Sequence, residues 1–544
     1  NDITHVAFYE KPFLKFERLL LTYLSYAPKG LWSFLKSMPV WLKEKIFIKH
    51  FLQEQLGFNG DIFFPEHHQS HAASAFFPSP FKEAAIITLD GVGEWTTTSF
   101  GIGKDNHIEL THELQFPHSL GLLYSAFTYY VGFRVNSGEY KLMGLAPYGK
   151  PVFADIIRRE LIDIKNDGSF HLNMSYFNYP AGLTMTNARF HRLFKLPPRK
   201  REAPITQEYM DIAASIQQVT EEIMVKIAIH VRQTTGQENL CLAGGVALNC
   251  VGNGKILEQA GYKNIWVQPA AGDAGGALGA ALFVWHQCLK NPRHADGVHD
   301  AQFNSLLGPN VDGQIKNLAD AQGWIYEHLP EAIKYDRLAA LISDAKIIGL
   351  CQGRMEFGPR ALGGRSIIAD PRNSSMQSTL NLKVKFRESF RPFAPAILKE
   401  RVAGYFKMNS ESPYMLLVSP LADEQRIPDA PLASGLDQLK VRRSLLPAIT
   451  HVDYSARVQT VDQHNNPVFY QIIRAFEKQT GCPVLINTSF NIRGEPIVCC
   501  AEDAYRCFMC TDIDYLLVGN YLFKKDIQPN QDKYKKEDIS TLLD

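Results

Sequence analysis

His67 and His71, in the run Glu66-His67-His68-Gln69-Ser70-His71, stand four residues apart. On a helix both imidazoles then project from one face, as two ligands of a single metal ion must. Nineteen residues after His71 a strand-like stretch, Ile86-Ile87-Thr88-Leu89, ends in Asp90. A carboxylate at a strand end can complete a metal shell from a second element. A further acid, Asp273, lies between the short apolar stretch Ile265-Trp266-Val267 and an Ala/Gly-rich helix. It is placed either to ligate the same ion or simply to N-cap that helix. A solvated or capping histidine cluster is the competing explanation for the pair, since short motifs recur by chance.

Two other stretches suggest anion chemistry. In Leu240-Cys241-Leu242-Ala243-Gly244-Gly245-Val246-Ala247-Leu248-Asn249, glycines between a strand and a helix would let backbone N–H groups approach a phosphate. Tight packing is the alternative there. From Lys346 to Arg401 there are eleven Lys/Arg against four Asp/Glu, in a chain whose net charge is only +1. Within it, Gly353 to Ser366 sets Arg360 and Arg365 on a glycine-laced loop suited to bidentate phosphate contacts. Lys383, Lys385, Arg387 and Arg391 follow, interleaved with Phe386, Phe390 and Phe393. A solvated basic face seldom alternates with aromatics in this way.

The elements that position these residues are those of a large α/β protein. At 544 residues the chain exceeds one hydrophobic core. Residues 84–116 alternate apolar and polar around glycine turns, which predicts an antiparallel meander. Residues 207–232 carry Ile212, Ile216, Val219, Ile223 and Ile227 at helical spacing. Turn-rich composition over 291–335 puts a domain boundary near Tyr326, giving domains 1–325 and 326–544. Residues 13–37 predict a buried amphipathic helix pair or an acceptor-site wall. With 57 basic and 56 acidic residues, no global field recruits nucleic acid or an anionic membrane. Nine cysteines, odd in number and bunched late, do not form a secreted disulfide framework. The lone Cys507/Cys510 pair predicts buried helical thiols. No apolar run reaches the ~18–20 residues of a membrane span, and the N-terminal residues lack a signal-peptide pattern. A soluble cytoplasmic protein is expected, and a homodimer is compatible with it.

Taken in order, the motifs carry a resemblance. Glu66-His67-His68-Gln69-Ser70-His71-Ala72-Ala73, Leu89-Asp90-Gly91-Val92-Gly93-Glu94, Gly138 to Gly149, Gly244 to Asn249, Gly272-Asp273-Ala274-Gly275, Gly358-Pro359-Arg360-Ala361-Leu362-Gly363, Arg391-Pro392-Phe393-Ala394-Pro395 and Asn487-Thr488-Ser489-Phe490-Asn491 span most of the chain. Together they resemble the O-carbamoyltransferase family of nodulation, cephamycin and aminoglycoside biosynthesis. The resemblance implies an N-terminal domain of the actin-like ATPase superfamily, similar to the tRNA threonylcarbamoyl-transfer proteins, followed by a YrdC-like carbamoyl-adenylate-forming domain. It implies ATP, carbamoyl phosphate as donor and a small-molecule hydroxyl acceptor. It also implies His67, His71, Asp90 and Asp273 as ligands of a divalent metal. Two imidazoles and two carboxylates suit octahedral Fe(II), Mn(II) or Mg(II), with Fe(II) favoured over a thiolate zinc site. Lys141, Arg360 and Arg391 become candidate catalytic cations. Gly244, Gly245, Asn249, Arg360, Arg365, Lys383, Lys385, Arg387, Asn487, Ser489 and Asn491 become candidate ligands of the nucleotide and donor.

The chain opens at Asn1-Asp2-Ile3 in the manner of a mid-domain segment, so a preceding strand and turn are expected and no general base is assigned. Other activities on the same fold are weighed beside this one: a tRNA threonylcarbamoyl-type transferase, a sugar kinase, a metallohydrolase, or a non-catalytic nucleotide- or metal-binding protein. A sugar kinase leaves the basic second half unused. A zinc hydrolase of the His-Glu type would need Glu where His68 stands.

Overall fold

A computed structural model describes residues 3–313, 315–529 and 531–534. The chain divides into two compact units, Asn1–Ala301 and Gln302–Asp544. The division therefore precedes Tyr326, the boundary expected from turn composition. Residues 302–325 side with the second unit because Trp324 stacks on Tyr505 at 3.7 Å and the Ile325 N–H donates to Gln528 at 3.1 Å.

The first unit is built on a five-stranded sheet. Strands β1 (Glu83–Leu89), β2 (Thr96–Lys104) and β3 (His107–Gln115) form the antiparallel meander anticipated from alternation. Strands β4 (Asn239–Ala243) and β5 (Asn264–Val267) add in parallel, giving the order β3-β2-β1-β4-β5. Before β1 come helices α1 (Pro12–Tyr26), α2 (Leu31–Val40), α3 (Ile48–Leu56) and α4 (His67–Phe76). The long helix α5 (Gln207–Thr235) buries the isoleucine stripe of its sequence pattern, including Ile212, Ile216 and Ile223. It is followed by α6 (Cys250–Gln259) and α7 (Ala274–Phe283).

The pair α1–α2 exists but is not buried as expected. Leu21, Leu24, Leu31, Trp32 and Leu35 are all exposed. Its inner face is held instead by buried Arg18 and Thr22, with the Arg18 guanidinium 5.1 Å above the Phe116 ring.

Helices α4 and α7 pack at backbone distance, and glycine permits it. A Cβ on Gly279 would collide with the Ser70 carbonyl oxygen, and one on Gly276 would press on the Tyr9 ring. The Gln268 side-chain amide, just past β5, donates to the Ser74 carbonyl and ties the sheet to the same helix. This close approach carries the start of α7, where Asp273 sits, to the histidine face of α4.

The second unit is a mixed nine-stranded sheet. Its strands are β6 (Glu327–His328), β7 (Ile348–Cys351), β8 (Arg365–Ala369), β9 (Ala394–Leu398), β10 (Leu417–Pro420), β11 (Ser455–Val461), β12 (Val484–Ser489), β13 (Tyr515–Val518) and β14 (Tyr521–Lys524). They lie in the order β6-β14-β13-β7-β8-β12-β9-β11-β10. The helix Ala501–Met509 buries Cys507 and leaves Cys510 half-buried at its end. No helix among the described residues is long and apolar enough to cross a membrane.

Gly279→Ala should push α7 away from α4. The cost expected is about 1–3 kcal/mol, read as a lowered chemical-denaturation midpoint of the full chain. An unchanged midpoint would contradict this packing.

Candidate functional site

The start of α4 is fixed before any ligand arrives. Glu66 and Gln69 cap it reciprocally, each side chain accepting from the other residue's backbone N–H. Both carboxylate oxygens of buried Glu94 accept the His67 N–H at 3.1 Å, placing negative charge at the positive helix end. His67 and His71, one helical turn apart, are almost wholly buried, and their Nε2 atoms face each other at 3.0 Å.

Asp90, leaving the end of β1, brings Oδ2 to 3.3 Å from His67 Nε2 and 3.9 Å from His71 Nε2. Asp273 Oδ1 stands 3.7 and 3.8 Å from the same two nitrogens. Asp273 makes no capping hydrogen bond to α7, so its carboxylate is directed to the cluster. One donor atom from each of the four residues lies within 4.8 Å of every other. Donors about 2.1 Å from a shared ion sit roughly 3.0 Å apart at right angles and about 3.4 Å apart at tetrahedral angles. The cage is thus close to the size of a bound divalent cation.

Electrostatics point the same way. Burial opposes charge on His67, yet Asp90 and Glu10 raise its imidazole to about 10. Burial and the neighbouring His67 push His71 down to about 4. Burial, with His71 and His67, pushes His68 down to about 3, and His68 Nδ1 bonds Thr88 at 2.6 Å behind the cluster. Burial disfavours the charged Asp90 carboxylate, but His67 and His71 hold it well below the usual range. Three of the four side chains are buried, and Asp273, 68% exposed, lies on the side open to solvent, where burial and the neighbouring Asp90 raise its carboxyl. The Nδ1 atoms of His67 and His71 make no hydrogen bond; the Glu10 carboxylate stands 3.7 Å from that of His67, and the His71 ring is aimed by packing and by the contacts of Nε2.

Two residues that no spacing argument singled out brace this cluster. Glu10 lies 3.7 Å from His67 Nδ1 and is paired with Lys15 at 2.5 Å. Such a carboxylate behind a ligating imidazole makes it a better donor. Glu94 fixes the α4 terminus. Glu94 stood in a quoted motif without a role, and Glu10, before Pro12, gave no local signal.

The Gly244-Gly245 turn serves the His/Asp cluster. Gly244, at φ +89°, has its N–H bonded to the Ala271 carbonyl, and a Cβ there would overlap the Leu89 carbonyl. The Gly245 N–H donates to Asp90 Oδ1 at 2.9 Å. Both amides are engaged inside the protein, which corrects the phosphate-cradle expectation: the loop clamps the ligand carboxylate. Asn249 caps α6 through the Gly252 N–H and pairs its amide with Gln217. It too is engaged in structure. Lys141 is buried on the helix Glu139–Leu145, its ammonium 5.7 Å from the Phe133 ring centroid.

In the second unit the predicted cations separate by burial. Arg365 is fully buried and donates to the carbonyls of Gln352, Gly353, Gly364, Cys499 and Pro309. It ties loops together and has no surface for a nucleotide, which corrects its assignment as a phosphate ligand. Lys383 is exposed on the helical turn Leu380–Val384. Lys385 is buried, and its ammonium contacts Ser489 Oγ at 3.1 Å and Asn491 Oδ1 at 2.6 Å, so three predicted residues meet. Asn487, within β12, donates to the Ala361 carbonyl and to Gln459.

Arg360, Arg387 and Arg391 form the remaining group. Burial, with the neighbouring Arg391, pushes the Arg387 guanidinium well below its ordinary value. Burial likewise lowers Arg391; Glu388 opposes this, while Arg493 and Arg360 add to it. Arg457 and Arg493 thus join the cluster unannounced. Arg457 lies on strand β11, and Arg493 lies beyond the basic run that drew attention to the others. Arg360 is buried and the other four are half-buried, and positive charge gathered in this way suits an anion.

His71→Ala should abolish stoichiometric metal binding while far-ultraviolet circular dichroism stays that of the parent. Metal analysis finding unchanged content would remove this site from consideration.

Comparison with known proteins gives a consistent result. A family model described as "Carbamoyltransferase N-terminus" matches residues 1–282, and "Carbamoyltransferase C-terminus" matches residues 339–525. The chain is 55% identical to the uncharacterized protein sll1178 of Synechocystis, over 98% of this chain and 89% of that one. Nodulation protein NolNO of Sinorhizobium fredii is 36% identical over 90% of this chain and 68% of its own. The 3'-hydroxymethylcephem-O-carbamoyltransferase of Amycolatopsis lactamdurans is 27% identical, over 84% and 80%. Among solved structures, T. kodakarensis HypF aligns with 44% of this chain and 38% of its own at 15% identity, with a TM-score of 0.25, too slight a likeness to argue from. The chain belongs to the carbamoyltransferase family, and its activity is the transfer of a carbamoyl group.

Proposed function

We propose that this enzyme is an ATP-dependent O-carbamoyltransferase that makes a carbamoyl adenylate in its second unit and consumes it in its first. The observation that carries the reading is the division of opposite chemistries between the units. A carboxylate and imidazole cage for a cation lies in residues 67–273, and a guanidinium cluster for an anion lies in residues 360–493. The cephem relative bears an O-carbamoyltransferase name, which supports a hydroxyl on a small molecule as acceptor.

In the first step the carbamoyl group of carbamoyl phosphate becomes joined to the α-phosphate of ATP. One water is consumed, and phosphate and pyrophosphate leave. Arg360, Arg387 and Arg391 are placed to neutralise the phosphates, with Arg457 and Arg493 behind them. Lys385 holds the Ser489–Asn491 loop in shape from its buried position. In the second step an acceptor hydroxyl attacks the carbamoyl carbon and AMP leaves. A divalent ion held by His67, His71, Asp90 and Asp273 would polarise the carbamoyl carbonyl or hold the adenylate phosphate; Fe(II), Mn(II) and Mg(II) suit this donor set. Around it, Glu94 and Glu10 fix the imidazoles, and Gly245 holds Asp90.

The order β3-β2-β1-β4-β5, an antiparallel meander continued by two parallel strands, supports an actin-like first unit. A YrdC-like fold for the second unit completes the proposal.

Arg360→Ala should weaken ATP binding about tenfold to a hundredfold, since a charge-assisted hydrogen bond contributes roughly 1.5–3 kcal/mol. Metal content should stay that of the parent. Calorimetry giving parental ATP affinity would contradict the assignment.

A further inference from the structure

Among the described residues, 25 large apolar side chains are exposed, and 13 of them lie in the first 56 residues. Scattered exposed leucines need no explanation, but a contiguous apolar patch does. This one is contiguous, because α1 and α2 are packed together. The Tyr23 hydroxyl lies 2.9 Å from Ser33 and 3.2 Å from Ser37, and its ring meets Phe34 edge-on at 5.4 Å. Phe16 contacts Trp41 at 6.1 Å. The hairpin is anchored on the body through Arg18 over Phe116 and through Gly30, where a Cβ would press on Ala181. Its outer side presents Leu31, Trp32, Leu35, Leu42, Phe47 and Phe51 to water.

The charges interleaved with that surface are mostly positive. Lys29, Lys36, Lys43, Lys45 and Lys49 are exposed, and none makes an ion pair among the described residues. Glu44 is the only acid between residues 29 and 50. Exposed Trp, Phe and Leu with lysines around them are the composition of a helix lying in the plane of an anionic bilayer. A second copy of the chain is a poorer occupant. In a twofold dimer the patch would face itself and set lysines against lysines.

We infer that the hairpin α1–α2 and the turn leading into α3 form a peripheral docking surface for anionic lipid bilayers. The apolar side chains enter the headgroup boundary and the lysines meet the lipid phosphates and carboxylates. The enzyme then works against a membrane face without spanning it.

Flotation of the full chain tests this with vesicles of phosphatidylcholine alone and of phosphatidylcholine mixed with phosphatidylserine. The protein should float with the mixed vesicles only, and high salt should release it. Exchanging Lys36, Lys43 and Lys45 for Glu should weaken partition more than about tenfold. Trp32→Ser with Leu35→Ser should do the same at an unchanged melting temperature and unchanged metal content. Failure to float with anionic vesicles overturns the inference. So does a dimer, seen by sedimentation, that Trp32→Ser with Leu35→Ser converts to monomer while the parent does not float.

Discussion

The carboxylate of Asp90 is the constraint from which the rest of the first unit follows. It is buried at the end of β1, where an ionised acid is costly unless cations or donors surround it. The Gly245 N–H takes one oxygen and His67 the other. Gly244 must adopt its left-handed turn for that amide to arrive. Helix α7 must approach α4 at glycine distance for Asp273 to close the fourth side. Each of these features is local, and together they gather two carboxylates and two imidazoles at a spacing that suits a cation.

The second unit solves the inverse problem. Its arginines repel one another at half-buried positions, which the proposed anionic substrate would relieve. Two sites of opposite preference suit a reaction whose intermediate is a phosphate mixed anhydride. The donor and nucleotide are anions to be gathered, while the carbonyl is an electrophile to be polarised.

Much of the first site was legible because it obeys short periods. His67 and His71 share a face by helical spacing, and Asp90 ends an apolar strand. Asp273 was ambiguous, since an acid before an Ala/Gly-rich helix is equally a cap; only the docking of α7 on α4 brings its carboxylate to 3.7 and 3.8 Å from the two imidazoles. The Gly244-Gly245 turn misled for a related reason. Glycines that open amides to a phosphate also open them to a carboxylate, and the nearest carboxylate came from 155 residues away. Arg365 misled because charge in a sequence carries no depth: its carbonyl partners include Pro309 and Cys499, 56 and 134 residues away. The same limit hid the exposure of α1 and α2, whose apolar pattern is that of a buried pair. Glu10, Arg457 and Arg493 act through tertiary neighbours alone.

The division of labour between the units is the central claim, and ATP–pyrophosphate exchange supported by carbamoyl phosphate tests it most directly. Asp90→Asn keeps the shape of the side chain and removes the charge of one proposed metal ligand. The account predicts that this variant retains exchange close to the parental rate while its yield of carbamoylated product collapses. Loss of exchange in step with loss of product would contradict it, because both steps would then depend on the same site.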